Sequence, residues 1–392
     1  MKILIVGMGY VGTTLTAAIY SKFKKSHIVG LDKSPILVND MKNYKFVTYE
    51  KNLKKIFKKK NSNILKIEQK INTENKFDVI IICVGTPISK NKKINDKILF
   101  NSIKQIKNNM HNKTLLIIRS SVRVGTMDRI QKKFFKKNDV LLAYCPERTI
   151  EGKAVNEILY LPQLIGTKED KSKRKANLFF KRLTKTMINF NSFKEPEFIK
   201  LLDNYYRDTK FAFANEVSIM CEKLGINAKN LIEKANYKFQ RNNIPYPGPV
   251  GGPCLSKDPY ILKYSYKKNI FKNDIYSRNI NEAYVRTFSE KIVKEVIKKK
   301  QENGKISIIG ITFKGNPDTN DIRNSTALDI IKLISNKFPN LKIYIFDKFV
   351  EDDVIKSLGC TPIKNIEKGF LNFKIIVIHG NNEYIKKINI KK

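Results

Sequence analysis

Short apolar runs alternate with amphipathic stretches over the first ~190 residues, and this alternation is the first structural signal in the chain. Ile3 to Val6, Ile28 to Leu31, Val79 to Val84, Leu115 to Ile118 and Val140 to Ala143 read as strands. Strands separated by helical stretches predict a parallel sheet with crossover helices. Residues 44 to 76 are rich in lysine and asparagine and support only a partial helix. The period then changes. From Glu195 to Leu224, the residues Phe198, Leu201, Leu202, Tyr205, Ala212, Val217, Met220 and Leu224 recur at helical spacing, and Gly225 supplies a stop. That is roughly 30 residues, or ~45 Å of helix, long enough to join two domains. More helix is predicted over 275 to 300. Ile306 to Gly310 opens a second strand-turn-helix pattern, followed by strands at Ile343 to Asp347 and Ile375 to Ile378. The expected fold is α/β: parallel-sheet domains at 1–190 and 301–392, joined by a long central helix and a helical middle domain at 191–300. The two ends share an architecture, with no short-period repeat.

A chain of 392 residues exceeds one ordinary core, which agrees with several domains. No stretch approaches the ~20 apolar residues that span a bilayer. Met1 to Val6 has a lysine and a short apolar run like a signal peptide. The glycines at 7, 9 and 12, and the lack of a small-residue cleavage site, favour a strand and turn. The expectation is a cytoplasmic chain with no membrane partner. The formal charge is +40, but the lysines are scattered among asparagine and isoleucine, as an AT-biased coding sequence would place them. They read as solvated helix faces, so no nucleic-acid partner is expected; a basic field also attracts phosphorylated small molecules. Five cysteines, odd in number and without a close pair, fit a reducing compartment. His27, His111 and His379 lack metal-ligand spacing, and no metal is expected.

Gly7-Met8-Gly9-Tyr10-Val11-Gly12 follows a strand and opens a helix, so its backbone amides and the helix N-terminus can face a pyrophosphate. Asp32 ends the next strand, 20 positions after Gly12, where an acid holds ribose hydroxyls and repels a 2′-phosphate. Lys33 follows it. The first domain therefore reads as Rossmann-like, with NAD as cofactor. Cys83-Val84-Gly85-Thr86-Pro87 ends a later strand, on the face where such sheets bind ligands; a structural turn accounts for it equally well. Lys200 and Asn204 lie four apart on the long helix, hence on one face. Such a pair is often a wetted stripe, but together the two can stabilise an oxyanion. Tyr144 to Gly152 offers the carboxylates Glu147 and Glu151 after a strand. Pro247 to Tyr260 contains Gly251-Gly252-Pro253-Cys254-Leu255-Ser256-Lys257-Asp258. Glycines beside Cys254 leave the approach to its sulfur clear, and neighbouring cations favour the thiolate. A proline-glycine turn carrying an inert cysteine is the competing reading.

In this order, these segments resemble the UDP-glucose/GDP-mannose dehydrogenase family, the nucleotide-sugar 6-dehydrogenases, over nearly the whole chain. The resemblance also rests on Ser120-Ser121-Val122-Arg123-Val124-Gly125-Thr126, on Lys200…Asn204-Tyr205-Tyr206-Arg207-Asp208, on Phe313-Lys314 and on Asp321-Ile322-Arg323-Asn324-Ser325. It implies a second Rossmann-like domain at the C-terminus that binds UDP. It also implies two NAD-dependent oxidations that turn a sugar C6 alcohol into a carboxylate, for surface polysaccharide. Cys254 attacks the intermediate aldehyde, and Lys200 and Asn204 hold the oxyanion, with Lys200 also assisting proton removal. Asp258 helps activate water, and Glu147 serves in proton transfer. Gly7, Gly9, Tyr10, Val11, Gly12, Asp32, Lys33, Thr86, Ser121, Glu151, Lys257 and Arg323 match the NAD side. Arg148, Arg241, Tyr246, Gly251 and Lys314 match the substrate side, with Arg241 reaching in from a neighbouring subunit of a homodimer built on the central helix. Pro-Glu-Arg at 146 to 148, in place of Pro-Glu-Phe, favours UDP-N-acetylmannosamine or a related UDP-N-acetylhexosamine over UDP-glucose. A catalytically silent nucleotide-sugar binding protein is the alternative. Four departures stand out. Ser121 replaces the family's threonine after Ser120 and keeps the hydroxyl. The usual acidic proline-glycine motif near position 50 is reduced to Tyr49-Glu50…Leu53, and Pro253 stands where many relatives have histidine. The stretch after Ile378 is short, which leaves the family's final strand in question.

Overall fold

A computed structural model describes residues 1–58, 64–89, 91–92, 94–135, 140–265, 275–367, 372–380 and 382–386. The chain divides into two compact units, Met1–Leu202 with Tyr260–Lys267, and Asp203–Pro259 with Lys268–Lys392. The helical segment after residue 203 is thus grouped with the second sheet.

The first unit is built on eight strands: β1 (Lys2–Val6), β2 (His27–Leu31), β3 (Leu65–Glu68), β4 (Val79–Ile82), β5 (Leu115–Ile118), β6 (Leu141–Tyr144), β7 (Gln163–Gly166) and β8 (Met187–Phe190). Their order is β3-β2-β1-β4-β5-β6-β7-β8, and every pairing is parallel except β6 with β7. Side chains alternate across a strand, so Ile3 and Ile5 enter one core while Leu4 and Val6 enter the other. Helices cover both faces, which is why β4 and β5 are unbroken apolar runs. These helices are α1 (Tyr10–Lys22), α2 (Pro35–Lys42), α3 (Leu53–Lys58), α4 (Lys97–Ile106), α5 (Thr126–Phe134), α6 (Ala154–Tyr160) and α7 (Asp170–Phe180).

Three strands of this sheet lie outside the sequence-based expectation. In β3 only Leu65 and Ile67 are buried, within a lysine-rich stretch. The edge strand β8 buries none of its residues fully, and β7 ends on Gly166. A Cβ at Gly166 would come within 2.5 Å of Pro196 Cγ, so close packing displaced the usual strand signal.

The long helix α8 (Lys194–Lys223) forms as the periodicity predicts, and Gly225 beyond its end has φ +67°. Its first turn carries Glu195 and Glu197, where acids complement the helix dipole. Then follow α9 (Ala228–Asn236), α10 (Asp258–Lys263) and α11 (Tyr276–Lys298). The second sheet has β9 (Lys305–Ile309), β10 (Lys342–Phe346), β11 (Thr361–Pro362) and β12 (Ile376–Ile378), all parallel in the order β11-β10-β9-β12. Helix α12 (Thr326–Lys337) and α11 pack against it around Ile306, Ile308, Ile330 and Val296. The position of a further strand would fall partly on 387–392, outside the described residues.

The likeness between the chain's two ends goes deeper than architecture. Gly7 has φ +90° and its amide donates to Leu31 O at 2.8 Å; Gly310 has φ +81° and donates to Phe346 O at 2.8 Å. Asp32 accepts from Met8 N at 2.8 Å and from Ser34 N at 2.9 Å. Asp347 accepts from Ile311 N at 2.8 Å and from Phe349 N at 2.9 Å. Each sheet therefore closes its first crossover with the same glycine-aspartate corner.

Glu197 fixes the start of α8 to the first unit. It is buried and accepts from Gly125 N at 2.6 Å and Met127 N at 2.8 Å. Burial pushes its carboxyl up from 4.5 to about 7 against those two hydrogen bonds. The folded chain then holds a proton that the unfolded chain has already lost. Stability from this group is present below pH 4.5 and is lost as pH rises through about 7. Thermal melts across that window should show the loss in the parent protein, and Glu197→Gln should flatten it; parallel profiles would refute the assignment.

Candidate active site

In the first unit the glycine turn has little freedom to be anything else. A Cβ at Gly12 would lie 1.9 Å from Gly7 O, whereas at Gly9 it would meet nothing within 4 Å. Gly9 is the N-cap of α1 and offers no capping side chain, so the first amides of the helix are left for a ligand. With Asp32 at the end of β2, these residues fit the pyrophosphate and ribose of NAD. Val11 packs on the core and Lys33 is exposed. Thr86 and Ser121, from the carboxyl ends of β4 and β5, come together: Thr86 Oγ1 donates to Ser121 O at 2.6 Å.

Tyr10, Glu50, Glu147 and Glu151 form a cluster in the same unit. Burial, then the charges of Glu50, Glu151 and Glu147, push the Tyr10 phenol far up. Its hydroxyl donates to Glu50 Oε1 at 3.4 Å. Glu50 also accepts from Gly152 N at 2.8 Å and Ala154 N at 3.0 Å, and Thr48 Oγ1 donates to Glu151 at 3.3 Å. The reduced motif near position 50 thus keeps an acid that fastens the 48–50 loop to the start of α6.

Glu147 is held on both oxygens. Oε2 takes Arg119 Nε at 2.8 Å and an Arg119 terminal nitrogen at 2.6 Å; Oε1 takes the amides of Arg148 and Thr149, each at 2.9 Å. Burial raises its pKa, but Arg119 and the Thr149 hydrogen bonds outweigh that and hold it below the ordinary glutamate value. An ionised acid with this much hydrogen bonding is a poor proton carrier, so the geometry points away from the expected proton-transfer role. Arg119 also donates to Gln163 Oε1 at 2.9 Å. Sequence reading passed over Arg119, although an arginine ending an apolar strand signals a buried partner. Arg148 itself is exposed.

In the second unit the thiol loop is the focus. Cys83, Cys145, Cys221 and Cys360 are buried, and burial pushes the thiols of Cys83 and Cys145 up to about 12 and that of Cys360 to about 11. Cys254 is exposed. Gly252 has φ +91°, and a Cβ there would lie 2.4 Å from the Phe313 ring; at Gly251 it would lie 2.4 Å from Asn324 O. The glycines therefore let the loop dock on the 313–324 segment, a different reason from keeping the sulfur's approach clear. Gly252 N donates to Asn324 O at 2.7 Å, and Asn324 Nδ2 to Ser256 Oγ at 3.1 Å.

Asp258 is fully buried. It pairs with Lys257 Nζ at 2.8 Å and accepts from Asn204 Nδ2 at 2.6 Å. Burial pulls the Lys257 ammonium down, but Asp258 and the Cys254 sulfur outweigh it and raise its pKa. Cys254, Lys257, Asp258 and Asn204 are thus brought together, and Asp258, with no solvent exposure, meets Lys257 and Asn204. Lys200 lies one turn before Asn204 on α8 and is half-buried.

Arg323 is folded back on Asp321, its Nε at 2.9 Å from both carboxylate oxygens. Lys314 follows Phe313, the ring that covers Gly252, and its ammonium lies 5.6 Å from that ring's centre. Arg241 is exposed and stacks on Phe239 at 4.7 Å, and Tyr246 donates to Glu233 at 2.9 Å.

Removing one member of a buried pair leaves the other charge uncompensated, at a cost of roughly 3–5 kcal/mol. Glu147→Ala should therefore lower the unfolding free energy by about that amount. Denaturant titration checks this, and a loss under about 1 kcal/mol, the scale of an exposed pair, would contradict the burial argument.

Three family models match the chain in succession. They are the NAD binding domain of the UDP-glucose/GDP-mannose dehydrogenase family at residues 1–184, its central domain at 194–283 and its UDP binding domain at 307–392. UDP-N-acetyl-D-mannosamine dehydrogenase of Methanocaldococcus jannaschii is 34% identical over 395 residues, spanning 99% of this chain and 87% of that one. The enzyme of the same name from Campylobacter jejuni is 31% identical, spanning 85% and 84%. Among solved structures, UDP-D-ManNAc dehydrogenase from Pyrococcus horikoshii superposes with a TM-score of 0.85 at 26% identity, covering 99% of this chain and 91% of that one. A UDP-glucose dehydrogenase from Pyrobaculum islandicum shares the fold, with a TM-score of 0.85 at 20% identity over 99% and 91%. The cofactor is NAD and the chemistry that of an NAD-dependent dehydrogenase. With matching models across nearly its whole length, the chain belongs to the UDP-glucose/GDP-mannose dehydrogenase family.

Proposed function

We propose that this protein oxidises the C6 alcohol of a UDP-hexose to the carboxylate in two NAD-dependent steps through Cys254, with UDP-N-acetylmannosamine the favoured substrate. The observation that carries this reading is the exposed Cys254 thiol beside the Lys257–Asp258 pair and Asn204, while the other four cysteines are buried. The sugar preference draws on Pro-Glu-Arg at 146 to 148 and on the names of the relatives. The three matched segments support an NAD-binding domain at 1–190, a central domain at 191–300 and a UDP-binding domain at 301–392.

Gly7, Gly9, Gly12 and Asp32 would hold NAD, which when bound accepts a hydride in each oxidation. Tyr10, Val11, Lys33, Thr86, Ser121, Glu151, Lys257 and Arg323 complete that side. In the first oxidation C6 gives up a hydride, Lys200 assists removal of the hydroxyl proton, and an aldehyde is left. The Cys254 thiolate adds to its carbon, and the Lys200 ammonium and the remaining Asn204 N–H receive the oxyanion. Loss of the C6 hydride from this thiohemiacetal leaves a thioester. Water cleaves the thioester, releasing the carboxylate and restoring the thiol. Asp258 orients Lys257 and Asn204 for these steps, and Glu147 orders the 146–149 turn. Arg148, Arg241, Tyr246, Gly251 and Lys314 are assigned to the UDP-sugar.

The product, a UDP-uronic acid, suits cytoplasmic supply of surface polysaccharide. No helix among the described residues is long and apolar enough to cross a membrane. A homodimer through α8 is part of the same reading. Tyr206, Phe213 and Met220 recur every seven residues on that helix at 61%, 50% and 50% exposure, the spacing of a helix–helix seam.

With a panel of UDP-sugars, the purified protein should release two NADH per sugar. Cys254→Ala should abolish acid formation while leaving NAD binding intact. One NADH with free aldehyde would overturn the mechanism, and binding of UDP-sugar without turnover would identify a silent binding protein. Light scattering should show a dimer that Phe213→Glu dissociates; a monomeric parent would remove the seam.

A further inference from the structure

The segment that leads into the thiol loop is held from below by a buried chain of polar groups outside every role assigned above. Asp208 and Asn215 stand on α8, Arg278 and Asn281 on α11, and all four are buried. Arg278 donates to Asp208 Oδ1 at 2.7 Å. Asn281 Nδ2 donates to Asp208 Oδ1 at 2.9 Å and to Asp208 O at 3.0 Å. Asn215 Nδ2 donates to Asn281 Oδ1 at 2.9 Å, and Asn215 Oδ1 accepts from Gly248 N at 2.8 Å.

The direction of this relay is fixed at both ends. A backbone N–H only donates, so it selects the oxygen of Asn215; an ionised carboxylate only accepts, so it selects the nitrogen of Asn281. The two amides between them then have one orientation that leaves no donor facing a donor. The Arg278–Asp208 pair thus orients two amides in turn, and the last of them presents its oxygen to one amide proton of the loop.

Gly248 is the middle of three clamps on that loop. Upstream, Asn236 grips Ile244 on both sides, donating to its carbonyl at 2.8 Å and accepting from its amide at 3.0 Å. Downstream, Gly252 N donates to Asn324 O at 2.7 Å. Between the outer clamps lie Pro245, Tyr246, Pro247, Gly248, Pro249, Val250 and Gly251, in which three prolines supply no amide. Gly248 is thus one of few donors by which the helices can hold the segment. We infer that Asn215 and Asn281 are positioning residues that set the 245–251 segment for the UDP-sugar through the Gly248 amide. This rests on the function proposed above, and it concerns the sugar nucleotide, not the cofactor.

Two measurements test it. In steady-state kinetics, Asn215→Ala should raise KM for the UDP-sugar about tenfold, the scale of one unpaired buried amide, while KM for NAD stays within about twofold. Amide hydrogen exchange should speed up about tenfold across 246–252, with 228–236 unchanged. Gly248→Pro removes the same donor without touching either helix, and it decides the matter if Asn215→Ala does not fold. Variants that fold with parental KM and parental exchange would overturn the inference, as would equal rises in both KM values. If the parent turns over no UDP-sugar, the proposed function fails by itself, and the exchange experiment still decides whether the relay holds the loop.

Discussion

A carboxylate taken out of water needs donors from the protein in place of solvent, and this chain uses that demand to fasten its loops. Lysine and arginine outnumber aspartate and glutamate by 76 to 36, yet the acids Glu50, Glu147, Glu197, Asp208 and Asp258 are all buried. Each takes hold of something that the sheets alone leave loose. Glu50 grips the start of α6, Glu147 the 146–149 turn and Glu197 the turn before α5. Asp258 joins Lys257 to Asn204, and Asp208 joins α8 to α11. Most of the lysines and arginines are on the surface, whereas the groups that fasten these loops are interior acids, two of them paired with the buried Arg119 and Arg278. A chain of this composition has no shortage of cations in solvent, so an acid is the scarcer group on which to hang a loop.

The repeating parts of the fold were legible because burial on both faces writes itself into runs such as Val79 to Ile82. The long helix was legible because apolar residues recur along it at helical spacing, yet of those that marked the spacing only Leu201 and Ala212 are buried, while Leu202, Met220 and Leu224 are exposed. β3 and β8 were not, since a strand with two buried residues or none leaves too little pattern. The candidate site divides in the same way. Cys254, Lys257 and Asp258 are neighbours in sequence, so their conjunction could be read directly. Arg119 meets Glu147 across 28 positions and Glu50 meets Gly152 across 102, and no local pattern names the partner in pairings of that kind. Gly251 and Gly252 show a subtler limit. The sequence marked them as special, but only their distances to Asn324 and Phe313 say why.

The two glycine-aspartate corners show how little of function resides in a backbone motif. Their hydrogen bonds agree to a tenth of an ångström, yet Asp32 is half-exposed and Asp347 is buried, with its pKa raised by that burial. Beside Asp347, the ring of Tyr384 packs on Phe346 at 5.8 Å and on Phe349 at 6.1 Å. Burial and then the Asp347 charge push the Tyr384 phenol up, as expected for a hydroxyl held near an acid with little water. At the second corner aromatic side chains therefore gather beside the acid. The same strand-turn-helix corner leaves its acid half-exposed in one sheet and buried in the other. What separates the two is which side chains arrive from elsewhere in the chain to cover the acid, and that is decided in the packing after the turn has formed.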